Sequence, residues 1–116
     1  MPEREKNKLL ILWTSRDREV ALNMVFMYTL NAKMRGWWKN IRFVVWGPSA
    51  KLLSEDIELQ DHIQKMIEVG IDIMACRACA DRYGVSEKLE AMGIDVKYMG
   101  EPLTESLKDD YTIITF

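Results

Sequence analysis

The hydrophobic positions of this 116-residue chain fall into short apolar runs separated by segments with helical periodicity. The first run, Lys8-Leu9-Leu10-Ile11-Leu12-Trp13, is nearly continuous, which is typical of a strand that is buried on both faces. Similar runs predict four further strands, over 41–46, 71–75, 94–98 and 111–116. The intervening segments predict helices over 18–35, 57–69, 76–83, 87–92 and 104–108, and a helical turn over 50–53.

This alternation of strands and helices predicts an α/β fold. Short connections between the elements favour parallel strands joined by right-handed crossovers, so we expect a five-stranded, mainly parallel sheet with helices on both faces. On the helix over 57–69, the apolar spacing predicts that Ile57, Ile63, Met66 and Ile67 face the sheet. The length favours a single domain over residues 1–116, with residues 1–7 as a flexible leader.

The charge balance narrows the range of partners. Lysine and arginine total 16 and aspartate and glutamate 18, so the formal net charge is −2. Such a surface has no general attraction for phosphate backbones, and no segment approaches the roughly 20 apolar residues of a membrane helix. We therefore expect neither nucleic acid nor membrane as a partner. The two cysteines lie too close together in sequence to staple distant segments, which points to the reducing cytoplasm.

Candidate binding residues follow the predicted strands. In parallel α/β sheets, ligands bind outside the carboxyl ends of the strands. The residues at that edge, apart from the cysteine segment, are Thr14, Ser15, Gly47, Ser49, Met99 and Gly100. The segment Gly47-Pro48-Ser49 lacks the glycine and lysine pattern of a phosphate loop, and the chain has no Gly-x-Gly-x-x-Gly motif, so we predict no cofactor.

Cys76 is the candidate nucleophile. It follows an apolar strand and opens a helix, where free backbone N–H groups and the helix dipole stabilise a thiolate. Arg77 and Arg82 add positive charge nearby. One interpretation is therefore a reactive cysteine whose sulfur is anionic and accessible. The other is that Cys76 is a small buried apolar group.

Cys79 stands three positions after Cys76, nearly one helical turn away. It either serves as a resolving thiol or packs against the sheet like the alanines around it. A zinc site needs about four ligands, and beyond these two cysteines the chain has a single histidine, His62. Only a site shared between subunits would be complete, so we predict no metal site. His62 itself is expected to be a solvated helix residue.

Two pairs of tryptophans have open interpretations. Trp37 and Trp38 follow the first helix and either anchor a subunit interface or fold back over the edge of the sheet. Trp13 and Trp46 end the first two strands, and they either line a pocket beside Cys76 or belong to the core.

The cysteine segment resembles that of the DsrE family. In Ala75-Cys76-Arg77-Ala78-Cys79-Ala80-Asp81-Arg82-Tyr83-Gly84-Val85, a cysteine at the end of a strand is followed by a small-residue helix and then by Gly-Val. Cys76 stands eight residues before Gly84, the spacing of the sulfur-carrying cysteine in the sulfurtransferase members. The run from Gly93 to Thr104 is similar to small stand-alone DsrE-like proteins of archaea and anaerobic bacteria. The similarity extends from Leu9 to Phe116.

The resemblance implies a flavodoxin-like α/β sandwich that assembles into dimers, trimers or hexamers. It also implies a role in sulfur relay, in which Cys76 accepts sulfane sulfur from a donor protein as a persulfide and passes it to an acceptor protein. Cys79 departs from the sulfurtransferase pattern, which usually has a small non-thiol residue there. Two alternatives therefore stay open: a non-catalytic oligomeric binding or scaffold module, and a dithiol redox switch formed by Cys76 and Cys79.

Overall fold

The computed structural model describes residues 6–116, so the leader expected over 1–7 lies largely outside the described residues. Five strands form one sheet in which each neighbouring pair is parallel. The strands are β1 (Lys8–Trp13), β2 (Asn40–Val45), β3 (Asp72–Cys76), β4 (Asp95–Lys97) and β5 (Thr112–Thr115).

Helices occupy each connection between consecutive strands. The first begins as α1 (Arg18–Val20), widens into a π-helical segment (Ala21–Phe26) and continues as α2 (Met27–Met34). The others are α3 (Pro48–Glu55), α4 (Ile57–Glu68), α5 (Arg77–Tyr83), α6 (Ser86–Ala91) and α7 (Gly100–Lys108). The helical turn expected over 50–53 is a full helix, and the last helix is longer than the sequence predicted.

The strand order distributes the helices unequally between the two faces of the sheet. The order is β4-β3-β2-β1-β5, so the chain steps in one direction from β1 to β4 and reverses to reach β5. Because crossovers between parallel strands are right-handed, the connections from β1 to β4 lie on one face and the connection through α7 on the other. The predicted α/β sandwich with helices on both faces is confirmed, with α7 covering its face alone.

Two apolar clusters reflect this unequal covering. The larger one joins the odd-numbered positions of β1 and β2 to the π-helical segment and to α2 through α6, and it includes Trp13, Phe26 and Phe43. The smaller one joins the even-numbered positions to α7. Its buried members are Leu10, Val44, Met74, Cys76 and Met99. Cys76 therefore belongs to the face of the sheet that one helix covers.

The prediction that Ile57 faces the sheet is wrong. Its side chain is 74% exposed, whereas Leu59, Ile63 and Met66 of the same helix are buried. Asp56 is the N-cap of α4, and its carboxylate accepts a hydrogen bond from the backbone N–H of Leu59 at 3.1 Å. The cap fixes the start of the helix, which turns the position after it towards solvent and brings Leu59 into the core.

Substitutions at these two positions should therefore have unequal effects on stability. We expect Leu59→Ala to lower the free energy of unfolding by about 2–5 kcal/mol, because it leaves a cavity in the core. Ile57→Ala, the matched control on the exposed face, should change it by less than about 0.5 kcal/mol. Urea unfolding followed by circular dichroism measures both. Equal losses would contradict the orientation of α4.

Candidate functional site

Cys76 lies where β3 ends and α5 begins. It is the last residue of the strand and the N-cap of the helix, with an extended backbone (φ −69°, ψ 114°). Its side chain is 5% exposed, so the expectation of an accessible sulfur is wrong. The side chains of Trp46 and Leu103 pack against the cluster that contains Cys76. Whether the sulfur is anionic stays a prediction.

Cys79 brings a second sulfur into contact with the first. It is the third residue of α5, and side chains at the N-cap and at this position face each other across the first helical turn. Burial raises the pKa of the Cys79 thiol above its ordinary value, and the hydrogen bond with the Cys76 side chain raises it further. Cys79 therefore holds its proton to higher pH than a free thiol does, and it can donate that proton to the Cys76 sulfur.

Two neighbouring groups oppose this shift. The backbone N–H of Gly47 donates a hydrogen bond to the Cys79 sulfur, and the positive charge of Arg82 lies close enough to lower the pKa of Cys79. Gly47 follows β2 with a positive φ (φ 71°, ψ −141°), a backbone conformation that residues other than glycine rarely adopt. Both groups favour negative charge on sulfur at this position, so an anion at Cys79 meets a backbone donor and a guanidinium.

The two arginines of the cysteine segment have different surroundings. Arg77 donates a hydrogen bond to the carbonyl oxygen of Val96 at 2.8 Å, and its Nη2 lies 3.5 Å from Oε1 of Glu90. These contacts direct its charge towards β4 and α6. Of the two predicted contributors of positive charge, Arg82 therefore acts on Cys79 through its charge, whereas Arg77 contacts the neighbouring strand.

The candidate binding residues after β1 and β2 make contacts within the fold. Both the backbone N–H and the Oγ1 of Thr14 donate to the carbonyl oxygen of Phe116, at 2.7 and 2.8 Å, and the N–H of Ser15 donates to it at 3.1 Å. Ser49 is buried, and its hydroxyl donates to the carbonyl oxygen of Trp13 at 2.6 Å. These groups tie strand ends together. Their predicted ligand-binding role stays a prediction.

Met99 and Gly100 stand at the start of α7. Met99 is buried beside Cys76 in the smaller cluster, so it joins the wall of the cysteine site. Gly100 is exposed, and its carbonyl oxygen accepts a hydrogen bond from Thr104 Oγ1 at 2.7 Å. The site assembled by the structure therefore consists of the two cysteines, Gly47, Arg82 and Met99.

Trp13 and Trp46 lie on opposite faces of the sheet. Trp13 is fully buried on the opposite face, where its ring meets Phe26 edge-on at 5.0 Å, so its interpretation as core is correct. Trp46 packs against the Cys76 cluster. His62 is partly buried and stacks on Phe26 with ring centroids 5.7 Å apart. Phe26 belongs to the larger cluster, on the opposite face of the sheet from Cys76. Among the described residues, no group of three or more potential metal ligands comes together.

Lys97 is a residue that the sequence analysis missed. It pairs with Cys76 in the register between β3 and β4, so the two side chains leave the sheet on the same face. Its Nζ lies 3.0 Å from Oδ2 of Asp95, two positions earlier on the same face. The alternation of polar and apolar residues over 94–98 indicated that Asp95 and Lys97 share one face of the strand. Only the pairing register between β3 and β4 places Lys97 beside Cys76.

The overall architecture has clear relatives among solved structures. A conserved protein of unknown function, BT1422 from Bacteroides thetaiotaomicron, is 44% identical, with a TM-score of 0.92 over 95% of both chains. Two more distant structures share the fold. The protein of unknown function MTH1491 from Methanobacterium thermoautotrophicum has a TM-score of 0.76 at 16% identity, over 94% of this chain and 99% of its own. The ychN protein from E. coli has a TM-score of 0.71 at 12% identity, over 97% of this chain and 100% of its own.

The family assignment rests on the sequence over nearly its whole length. No curated protein matches the chain. No helix of the described residues is long and apolar enough to cross a membrane. The model of the DsrE/DsrF-like family matches residues 8–116, from the start of β1 to Phe116. The chain therefore belongs to the DsrE/DsrF-like family.

Proposed function

We propose that this protein is a sulfur-relay protein that carries sulfane sulfur as a persulfide on Cys76. It would take the sulfur from a donor protein and pass it to an acceptor protein. Membership of the DsrE/DsrF-like family supports a role in sulfur relay. The observation that carries the proposal is the position of Cys76 at the carboxyl end of β3, with the thiol of Cys79 against it.

The transfer needs neither an oxidant nor a reductant. The Cys76 thiolate attacks the outer sulfur of a persulfide on the donor, so that a new S–S bond forms as the donor's S–S bond breaks. The donor leaves as a thiolate and takes up a proton. In delivery, a thiolate of the acceptor attacks the outer sulfur, and Cys76 is the leaving group. Each step exchanges one S–S bond for another, so electrons balance.

The surroundings of Cys76 suit storage of a labile sulfur. Because the pKa of Cys79 is raised, its thiol stays protonated and can donate a hydrogen bond to a negative sulfur on Cys76. The apolar side chains of Met74, Met99 and Leu103 exclude water and reductants from the buried sulfur. A partner has to approach past Cys79, which is only partly buried and faces Gly47 and Arg82.

We place this relay in the cytoplasm. Both cysteines are free thiols, and free thiols persist in the reducing conditions that cytosolic glutathione and thioredoxin maintain.

A dithiol redox switch is the second candidate, favoured by the contact between the two thiols. An intramolecular disulfide would form when Cys76 and Cys79 lose two protons and two electrons to a small-molecule disulfide, which becomes two thiols. Relay and switch use the same atoms, but their products differ in mass.

Mass spectrometry after incubation with glutathione persulfide tests the relay. We expect the wild-type protein and Cys79→Ser to gain the mass of one sulfur atom, on the peptide that contains Cys76. Cys76→Ser should gain none, because the attacking sulfur is gone. Circular dichroism checks that each variant is folded.

Three other results would sink the relay. They are an adduct that persists in Cys76→Ser, a loss of two hydrogens across the pair without added sulfur, and an unmodified wild-type protein. The second result supports the redox switch. The third leaves a binding or scaffold module of the same fold.

The pH dependence of Cys79 alkylation tests the thiol contact. Cys79 reacts as the thiolate. Since its pKa is raised, the rate of its reaction with iodoacetamide should rise at higher pH than the rate for a free thiol does. In Cys76→Ala the hydrogen bond and the charge of Cys76 are absent, so the midpoint should move to lower pH while the effect of burial remains. Met74→Leu, which alters the same cluster without removing a thiol, should leave the midpoint unchanged. A midpoint that is equal in Cys76→Ala and the wild type would contradict the contact.

A further inference from the structure

A cavity of about 610 Å³ lies on the face of the sheet that α7 covers. Its floor contains Arg42 of β2 and Asp72 and Met74 of β3. Residues of β4 and α7 form its two sides: Asp95, Lys97, Pro102, Glu105 and Ser106. A cavity of this size falls in the range of about 300–1,000 Å³ that small-molecule sites occupy.

The cavity exists because a single helix covers this face. α7 contacts β2, where Ser106 is buried and its hydroxyl accepts a hydrogen bond from Nη1 of Arg42 at 2.8 Å. Beyond β2, Asp72 of β3 and Asp95 of β4 are exposed, although Ile73, which points to the opposite face, is buried. The helix therefore leaves a groove along β3 and β4.

One end of the cavity lies against Cys76. Lys97 is the partner of Cys76 in the register with β4, Met74 precedes it by two positions on the same face of β3, and Met99 shares its buried cluster. All three residues line the cavity. Because methionine side chains are flexible, rotation of Met74 or Met99 opens a path from the cavity to the sulfur without a change in the backbone. This approach is separate from the one past Cys79.

Charges of both signs line the middle of the cavity. Arg42 and Asp72 are partners in the register between β2 and β3, so their side chains leave the sheet on the same face. The hydrogen bond to Ser106 uses a single N–H of the Arg42 guanidinium, so further donors remain for a bound carboxylate. The ion pairs found among residues 6–116 include neither Asp72 nor Glu105. A molecule with an ammonium and a carboxylate on one carbon, the head group of an amino acid, matches this arrangement.

The distance between the charged region and Cys76 selects the length of the molecule. β3 runs from Asp72 to Cys76, and the usual rise per residue places these two positions about 13 Å apart. In extended glutathione persulfide, about 11 Å separate the α-carbon of the head group from the outer sulfur, whereas in cysteine persulfide the same distance is about 4 Å. With a contact of about 3 Å at each end, only the longer molecule reaches both Asp72 and Cys76.

We propose that this cavity binds low-molecular-weight persulfides that carry an amino-acid head group on a spacer, and that it holds their outer sulfur at Cys76. The inference rests on the proposed function, and it adds a small-molecule donor to the donor protein of the relay. The Cys76 thiolate attacks the outer sulfur, and a new S–S bond forms as that of the bound molecule breaks. The released thiolate takes up the proton that left Cys76, so atoms and electrons balance.

Isothermal calorimetry with S-methylglutathione tests the cavity without any sulfur transfer. This probe has the head group and spacer of glutathione persulfide but no sulfane sulfur. At millimolar concentration we expect it to bind the wild-type protein, and Asp72→Asn to weaken binding about tenfold, because a charged hydrogen bond to the ammonium is lost.

Asp61→Asn is the matched control for this measurement. It removes the same charge from an exposed position on α4, which packs on the opposite face of the sheet. Its affinity should equal that of the wild-type protein, and circular dichroism checks that both variants are folded. A wild-type protein that does not bind the probe, or equal affinities of Asp72→Asn and Asp61→Asn, overturns the proposal.

The kinetics of sulfur loading on Cys76 test the role of the bound molecule as a donor. With glutathione persulfide, Asp72→Asn should raise the half-saturating concentration about tenfold and leave the maximal rate unchanged, because Asp72 contacts the head group and not the reacting sulfur. Cysteine persulfide is too short to reach both ends, so it should load the wild-type protein and Asp72→Asn at the same rate. Mass spectrometry of quenched samples measures these rates.

The outcomes separate this inference from the relay on which it rests. Equal kinetics of the wild-type protein and Asp72→Asn with glutathione persulfide would overturn the donor cavity and leave the relay standing. Absence of sulfur on Cys76 with either donor would refute both the relay and the donor role, whatever the affinity for S-methylglutathione.

Discussion

The contact between two thiols arises because β3 runs directly into α5 without an intervening loop. Cys76 ends the strand and caps the helix, so the next side chain on its face of the helix is that of Cys79. No flexible segment separates the two, and the backbone of both elements fixes their approach. Besides burial, the contact that this junction makes possible raises the pKa of Cys79, and the chemistry proposed for the pair depends on the same contact.

The position of this junction in the sheet departs from the usual rule for ligand sites. In open parallel sheets, ligands lie where the strand order reverses, which here is between β1 and β5. At that point the carbonyl oxygen of Phe116 already accepts hydrogen bonds from Thr14 and Ser15. The cysteines lie instead at the end of β3, beside the turn after β2 that carries Gly47. The single helix on that face, α7, leaves room for such a site, since it covers five strands alone.

Local patterns were enough to predict the strands and the place of Cys76. The continuous run of β1 and the strand-to-helix change at Cys76 depend on neighbours in sequence, and both predictions are confirmed. Burial of Cys76, the contacts of Arg77 and the hydroxyl bond of Ser49 depend on elements far away in sequence. The sequence left burial of Cys76 as one of two interpretations and did not predict the other two features, because each needs the strand order and register. Ile57 shows a smaller limit of the same kind: one capping residue decided which of several apolar positions faced the core.

A crystal structure of the protein after reaction with a persulfide donor tests the central claim most directly. The account predicts one additional sulfur atom bonded to the sulfur of residue 76, still buried by the side chains that follow β4, with the neighbouring thiol intact and in contact. A disulfide between the two cysteines, or added sulfur on Cys79 alone, would contradict it.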